Sequence, residues 1–454
     1  GRWDETDRDV PIFGNEGEKV YAHGGWFDAS GDYSKYLSHL SYANYLNPQQ
    51  TPLTVYSLLS FYTSLMTSYK ELHSMLGERA LEEAFWGADF LMRMQHESGF
   101  FYMTLFDKWS KKNEERMLCA FKTQMGERLE SYQSGFRQGG GMAIASLALA
   151  SIFPRNSSLS DSFTSEQYLI AAIKGYQHLI EHNKEYLDNN KENLIDYYTA
   201  LMASNNLYKA TNDDYYKNEG KKWVSLIIDL YSDKDHCWLV EKDNERPFFH
   251  ASDTGLPFVA LLEYIEIADE NIEIYQFLKR AFVDLVERGK EVVNPFLLSR
   301  QRVKPVGKAS YNSFFVPHEN ETGYWWQGEN ARLASEVTSC VMMRRLVEKN
   351  EGKNDLYYAL KQFGQSQIDF IFGCNPYNMC MMDGHGRNNP RYEEHYPNAP
   401  GGICNGITSG FLDEMDVDFL PSVVEGRGDH RWRWSEQWIP HASWMLFALS
   451  EDLN

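Results

Sequence analysis

The six cysteines, Cys119, Cys237, Cys340, Cys374, Cys380 and Cys404, include no CxxC pair and no Cys/His spacing suited to zinc. That excludes a zinc ribbon and a dithiol redox motif. It predicts reduced core thiols and a reducing, cytoplasmic compartment. No apolar run reaches the roughly 18 residues of a membrane span, so no membrane partner is expected. Positive charge is scarce: 44 Lys and Arg against 64 Asp and Glu leave a formal net charge of −20. A polyanion would be repelled, which argues against nucleic acid; a neutral or cationic ligand is favoured. No Gly-, Ser- or Pro-rich linker divides the chain, no low-complexity segment interrupts it, and strand-like alternation is rare. No signal peptide is visible, but the chain opens on Gly1 rather than Met, so that absence carries no weight.

What is present is aromatic and helical. The 454 residues include 12 Trp, 28 Tyr and 26 Phe, and the hydrophobic fraction of 43% is ample for a core. Flat rings stack on the apolar faces of sugars, so an aromatic-rich chain is a carbohydrate candidate, although most rings serve cores. Apolar residues recur at helical spacing over 52–68, 79–95, 139–152, 165–182, 195–210, 216–231, 255–268, 273–289, 329–349, 355–373 and 438–450. About eleven helices at intervals of roughly 30–40 residues, with very unequal loops, predict an all-α helical toroid in one domain. The chemistry-bearing residues fall in the long loops 14–33, 96–138, 232–254, 291–328 and 374–436.

Two clusters stand out. Gly24-Gly25-Trp26-Phe27-Asp28-Ala29-Ser30-Gly31-Asp32 carries two carboxylates on a glycine-rich turn. Trp432-Arg433-Trp434-Ser435-Glu436 carries one among tryptophans. Cleavage of a sugar–sugar bond needs one carboxylate to activate water and another to protonate the leaving oxygen. Taken singly, Asp28 and Asp32 also read as turn or cap residues, and Glu436 as a first-turn glutamate.

The first cluster resembles the GGWxDAGD motif of glycoside hydrolase family nine, whose members are inverting glycosidases built on an (α/α)6 barrel. Further segments follow in that family's order. Gly139-Gly140-Gly141-Met142-Ala143-Ile144-Ala145-Ser146-Leu147-Ala148 resembles its small-residue barrel helix, and Leu207-Tyr208-Lys209-Ala210-Thr211-Asn212-Asp213 resembles LYRATGD. Ser366-Gln367-Ile368-Asp369-Phe370-Ile371-Phe372-Gly373-Cys374-Asn375-Pro376 resembles SQIDYILGxNP, and Ser435-Glu436 stands where the family places Asn-Glu. The resemblance covers roughly residues 20–450. It implies Asp32 as general base, Asp28 as its partner holding the water, and Glu436 as general acid. It implies no cofactor and no metal, and an oligosaccharide as the partner.

Departures from the pattern shape the substrate expectation. An extra serine gives D-A-S-G-D, a form that resembles the exo-β-D-glucosaminidase branch of the family. The His-His-Arg stretch is absent as such; nearby stand Asp383, His385, Arg387 and Arg391. Met202 stands in place of a family tryptophan. The expected substrate is therefore a short oligosaccharide ending in glucosamine, bound in a pocket, with Asp28, Asp253 and Asp383 as candidates to face its amino group. A cellulase or cello-oligosaccharide hydrolase is the alternative. Trp26, His385, Arg387, Trp325, Trp326, Trp432, Trp434, His250 and Asp253 are the expected substrate contacts. The acidic run Asp413, Glu414, Asp416 and Asp418 lacks EF-hand spacing and reads as a solvated loop. Helical toroids also host phosphorolytic and eliminating enzymes, but a phosphorylase would need a basic phosphate pocket in place of the base; a non-catalytic sugar binder would need the aromatics but not three placed carboxylates. A small N-terminal β domain outside this chain also fits the family pattern.

Overall fold

The structure, a computed structural model, describes residues 6–155, 162–269, 271–323, 326–390, 396–410, 415–419 and 431–453. Among them are eleven helices of eleven residues or more: α1 Thr51–Ser68, α2 Glu78–Arg93, α3 Gly141–Ser151, α4 Ser165–His182, α5 Leu194–Thr211, α6 Asp214–Asp229, α7 Leu256–Ile267, α8 Ile272–Arg288, α9 Asn330–Glu351, α10 Asp355–Phe372 and α11 Ile439–Leu453. Their starts follow local chemistry. Pro52 and Pro257 sit in the first turns of α1 and α7, where a missing N–H costs nothing. Thr164, Asn193, Asp213 and Asn354 cap α4, α5, α6 and α10 by accepting from first-turn N–H groups.

The odd-numbered helices form a closed ring in which α1 packs on α3, α3 on α5, α5 on α7, α7 on α9, α9 on α11, and α11 back on α1. Each even-numbered helix packs outside the inner helix that precedes it. The composition explains the split. Helix α3 reads GMAIASLALAS and is buried almost all round, as an inner wall must be. Helix α2 buries one stripe, including Ala84, Phe85, Ala88 and Leu91, and turns Glu78, Arg79 and Glu82 outward. This is the helical toroid expected from the periodicity, closed as the (α/α)6 barrel that the family resemblance implies. No helix among the described residues is long and apolar enough to cross a membrane. The six cysteines form no disulfide; five are buried and Cys374 is exposed.

Several family-like segments prove to be joints of this scaffold. In Leu207–Asp213, Asn212 takes a left-handed conformation (φ 55°) between α5 and α6, and Asp213 caps the second. In the Asn375-Pro376 turn, the Asn375 side chain accepts from the N–H groups of Tyr377 and Met379 and donates to the carbonyls of Phe370 and Met379.

The loops hold more strand than the sequence suggested. Strands β1 Val10–Ile12, β2 Asn15–Val20, β3 Lys35–Tyr36, β4 Phe101–Tyr102, β5 Thr104–Phe106, β6 Met117–Lys122 and β7 Glu127–Leu129 are short. The sheet runs β2-β1-β6-β5-β3, with β7 also on β6 and β4 outside it. Their shortness hides the period-two signal, and several are buried on both faces, as in Thr104–Phe106. This sheet fixes the loops 14–33 and 96–138 against one another.

Candidate active site

The two acidic clusters, more than 400 residues apart, meet through their backbones. Ala29 and Trp438 form an antiparallel bridge. The Ser30 N–H donates to the Gln437 carbonyl at 2.9 Å, and the Ile439 N–H to the Asp28 carbonyl at 2.9 Å. The extra serine acts as a clasp: its hydroxyl donates to Asn398 Oδ1 at 2.8 Å and accepts from the Gln437 N–H at 3.1 Å. From the other side the Asn405 N–H donates to the Glu436 carbonyl at 2.7 Å. His441 holds Asn405. Its Nδ1 accepts from the Ala331 N–H, so the ring's proton sits on Nε2, which donates to Asn405 Oδ1 at 2.7 Å.

Two glycines are required by this closeness. Gly25 has φ 66°, and a Cβ there would lie 2.9 Å from the Phe90 ring. At Gly31 a Cβ would lie 2.5 Å from Glu436 Oε1 and 2.4 Å from the Tyr396 ring. Gly31 is thus the point where base turn and acid touch, and its N–H donates to Glu436 Oε1 at 3.2 Å.

Asp28, Asp32 and Glu436 open on one cavity of about 300 Å³. Asp32 is the better fixed of the two aspartates: Oδ1 accepts from the N–H groups of Tyr33 (2.6 Å) and Ser34 (2.9 Å), and Oδ2 from the Tyr36 hydroxyl (3.3 Å). Burial, then the charge of Asp107, push its pKa up to about 6 against those hydrogen bonds. Asp28 Oδ1 accepts from the Trp438 indole at 2.9 Å, and Oδ2 lies 3.6 Å from His39 Nδ1. Burial and its two carboxylate neighbours hold Asp28 well above the ordinary carboxylate range. Burial lowers His39 to about 3, so it stands there as a neutral ring. Glu436 is pushed up to about 8, first by desolvation and then by the charge of Asp32; the Gly31 N–H and the Lys111 ammonium oppose the shift. Held at about 6 and about 8, the two carboxyls differ in protonation near neutral pH.

The expected substrate contacts divide sharply. Trp432 lines the cavity. Trp434 and Trp326 do not: both are buried and meet edge to face at 5.6 Å, and the other face of Trp326 stacks on His318 at 4.3 Å. Trp26 also turns away. Its indole donates to Glu83 at 2.8 Å and its ring packs over Gly87 of α2. His250 is a turn residue whose Nδ1 accepts from the N–H groups of Ser252 and Asp253, both at 2.9 Å. Asp253 is fully buried, accepting from the Gln49 N–H, the Ser252 hydroxyl and the Trp444 indole. It ties α1, α7 and α11 together rather than facing a ligand. His385 and Arg387 are exposed on the loop after α10, and neither they nor Asp383 line the cavity. Trp325, His430, Arg391, Asp413 and Glu414 lie outside the described residues.

The sequence reading missed residues that do line it: Tyr42, Trp109, Lys111, Gln124 and Tyr396. Trp109 and Lys111 sit in Asp107-Lys108-Trp109-Ser110-Lys111-Lys112, where a lone tryptophan amid charge was the available signal.

The sequence profile described as Glycosyl hydrolase family 9 matches residues 4–402. The chain belongs to glycosyl hydrolase family 9. Glu436 lies beyond the matched stretch and rests on the geometry above. Solved structures share the fold at low identity. A family 9 protein of Bacteroides ovatus superposes with TM-score 0.57 at 16% identity, over 99% of this chain and 76% of that one. A cellulase of C. cellulolyticum gives 0.56 at 16%, over 96% and 88%. An endoglucanase of Clostridium thermocellum, solved with cellotriose, gives 0.58 at 16%, over 95% and 64%. No curated protein sequence matches. As a family 9 member the chain is a glycoside hydrolase.

Proposed function

We propose that this hydrolase cleaves β-linked gluco-oligosaccharides of the cellulose type, by a single displacement with inversion at the anomeric carbon. The observation that carries the reading is the cavity itself: Asp32, at about 6, and Glu436, at about 8, share it with Asp28. Near pH 7 Asp32 is ionised and takes a proton from water as its oxygen attacks the anomeric carbon. Asp28, beside it, orients that water. Glu436 is protonated and gives its proton to the leaving glycosidic oxygen. Trp432 and Trp109 offer ring faces to the sugar.

Charge supports a neutral sugar. With Glu436 holding a proton and Asp28 held well above the ordinary carboxylate range, the charge on Asp32 has Lys111 as a cation lining the same cavity. Of the carboxylates expected to face a 2-amino group, Asp28 alone lines the cavity. The cellulase and endoglucanase names of the structural relatives point the same way. The D-A-S-G-D spacing supports a second reading, an exo-acting glucosaminidase.

One experiment separates the two. Cellotetraose and the matching chitosan tetramer are incubated with the enzyme, and the products are followed by chromatography and proton NMR. Faster cleavage of the glucose oligomer, with the α-anomer appearing first, is expected. Preference for the glucosamine oligomer would establish the second reading; first release of the β-anomer would overturn inversion.

A further inference from the structure

Between β5 and β6 the chain makes an unusual excursion. Lys108, Trp109 and Lys111 all have positive φ, at 61°, 56° and 58°. None is glycine, so each left-handed residue costs on the order of 1 kcal/mol that something nearby must offset. The compensating group is the Asp107 side chain, which is fully buried. Its Oδ1 accepts from the Trp109 N–H at 3.0 Å and its Oδ2 from the Lys111 N–H at 2.8 Å. The same carboxylate reaches the base turn: Oδ1 accepts the Ser34 hydroxyl proton at 2.6 Å, while the Asp107 N–H donates back to the Ser34 oxygen at 3.1 Å. Ser34 in turn gives its backbone N–H to Asp32 Oδ1 at 2.9 Å.

We propose that Asp107 is a positioning residue that locks the segment Asp107–Lys112 to the base turn, so that one carboxylate sets both the placement of Asp32 and the cavity wall carrying Trp109 and Lys111. The inference rests on the reading of Asp32 as base. Asp107 lies outside the cavity lining and touches no substrate; it acts through Ser34, Trp109 and Lys111. It needs to be an ionised carboxylate because it accepts three donors across two oxygens. An amide offers one accepting oxygen and would turn an NH2 group toward a backbone N–H. Its charge also helps hold Asp32 above the ordinary carboxylate value. The other titratable or charged groups around Asp32 are Asp28, Glu436 and Tyr36, with Lys111 on the cavity wall. Behind the turn, Lys35 and Arg116 are engaged by Asp7, and neutral His39 faces Asp28.

The test is Asp107→Asn, read in two independent ways. Carboxyl-labelled aspartate NMR, with Asp32 assigned through Asp32→Asn, follows the ionisation of Asp32 without any substrate. It should fall from about 6 toward the ordinary value as the neighbouring charge is removed. Kinetics on cellotetraose should show KM raised as the wall loosens, and kcat/KM lower on the order of a hundredfold, the cost of a misplaced reacting group. An unchanged Asp32 titration together with an unchanged KM, whatever the thermal stability, would overturn the proposal. If wild-type enzyme leaves cellotetraose intact, the substrate reading fails while the NMR arm still decides this one. Should Asp107→Asn fail to fold, Ser34→Ala removes only the shared hydroxyl. It should lower kcat/KM roughly tenfold with both carboxylates in place, the size of one lost charge-assisted hydrogen bond. Wild-type kcat/KM in folded Ser34→Ala would equally overturn the link.

Discussion

Glu329 and Glu436 are both buried glutamates pushed above the ordinary carboxylate range, and their difference shows what else a candidate acid needs. Glu329, before α9, is pushed up to about 7 by burial, even with Arg332 beside it. Its Oε2 is bonded to Arg332 Nε at 2.6 Å and to Gln301 at 3.1 Å, and its Oε1 accepts from the Val316 N–H at 2.6 Å. Glu336 faces the same guanidinium. Both carboxylate oxygens are thus engaged by neighbours, and the residue does not line the cavity of Asp32 and Glu436. Glu436 is pushed to about 8, yet among the described residues its carboxyl takes a single hydrogen bond, from Gly31, and it faces the cavity with Asp32. A perturbed carboxyl alone does not mark a site. A perturbed carboxyl with spare acceptor capacity and an opening does.

The sharpest way to break this comparison is to neutralise each in turn. Glu436→Gln and Asp32→Asn should each cut kcat on cellotetraose by a hundredfold or more, since each removes a proton-transfer partner. Folding should survive in both. Glu329→Gln should do the reverse. It should lower stability by about 3 kcal/mol, because a buried guanidinium loses one of its two counter-charges. Turnover of the folded fraction should stay within a few-fold. Urea unfolding and active-site-normalised kinetics decide it, and a large kcat loss in Glu329→Gln would erase the distinction. On a substrate with a good leaving group, Glu436→Gln should recover much of its loss.

The pH dependence sharpens the same contrast. Asp32 must be ionised and Glu436 protonated, so kcat/KM should rise through about 6 and fall through about 8. Glu436→Gln, assayed with a good leaving group, should lose the alkaline limb and keep the acidic one. Stability should move against activity on the acidic limb and with it on the alkaline limb. A carboxyl whose folded value is raised binds its proton more tightly when folded, so its contribution is complete below the ordinary carboxylate range and is lost as pH rises through 6 and then 8. Above pH 8, Asp32→Asn and Glu436→Gln should therefore melt higher than wild type. Equal melting temperatures there would mean the two carboxyls carry no stored strain.

Gly31→Ala should have a smaller effect. The added methyl would lie 2.5 Å from Glu436 Oε1 and 2.4 Å from the Tyr396 ring, so the acid and the ring must move by roughly 1 Å. A drop in kcat/KM of roughly ten- to a hundredfold is expected from such a displacement, with the unfolding midpoint nearly unchanged.

The scaffold was legible because it obeys periodicity. All eleven helices lie within a few residues of where apolar spacing placed them; Asp28, Asp32 and Glu436, which singly read as turn or cap residues, stood out only through the ordered family-like motifs, and the structure brings all three to one cavity. The cavity wall was harder to read. Trp109 and Lys111 reach it through left-handed backbone conformations pinned by Asp107, a tertiary arrangement with no periodic trace. Tryptophans misled for the converse reason. Trp26 and Trp326 sit within conspicuous motifs, yet a ring beside a glycine-rich turn serves packing as readily as binding. His250 and Asp253 misled similarly: a short polar run before a helix reads as a loop site but folds into a buried turn that satisfies its own N–H groups.

The smallest predicted effect tests that last distinction, between a tryptophan in the motif and a tryptophan at the cavity. Trp26 gives its N–H to Glu83 and lays its ring over Gly87 and Val55, on the outer side of the base turn. Trp26→Phe removes one partly buried hydrogen bond, worth about 1 kcal/mol, and some packing area. The unfolding midpoint should fall slightly while kcat and KM on cellotetraose stay within twofold of wild type. Trp432→Phe, at the cavity wall, should do the opposite: stability hardly changes, and KM rises several-fold as a smaller ring replaces the larger stacking face. If the two variants exchanged these signatures, the sugar would lie along the outer face of the turn, and the cavity shared by Asp32 and Glu436 would not be where it binds.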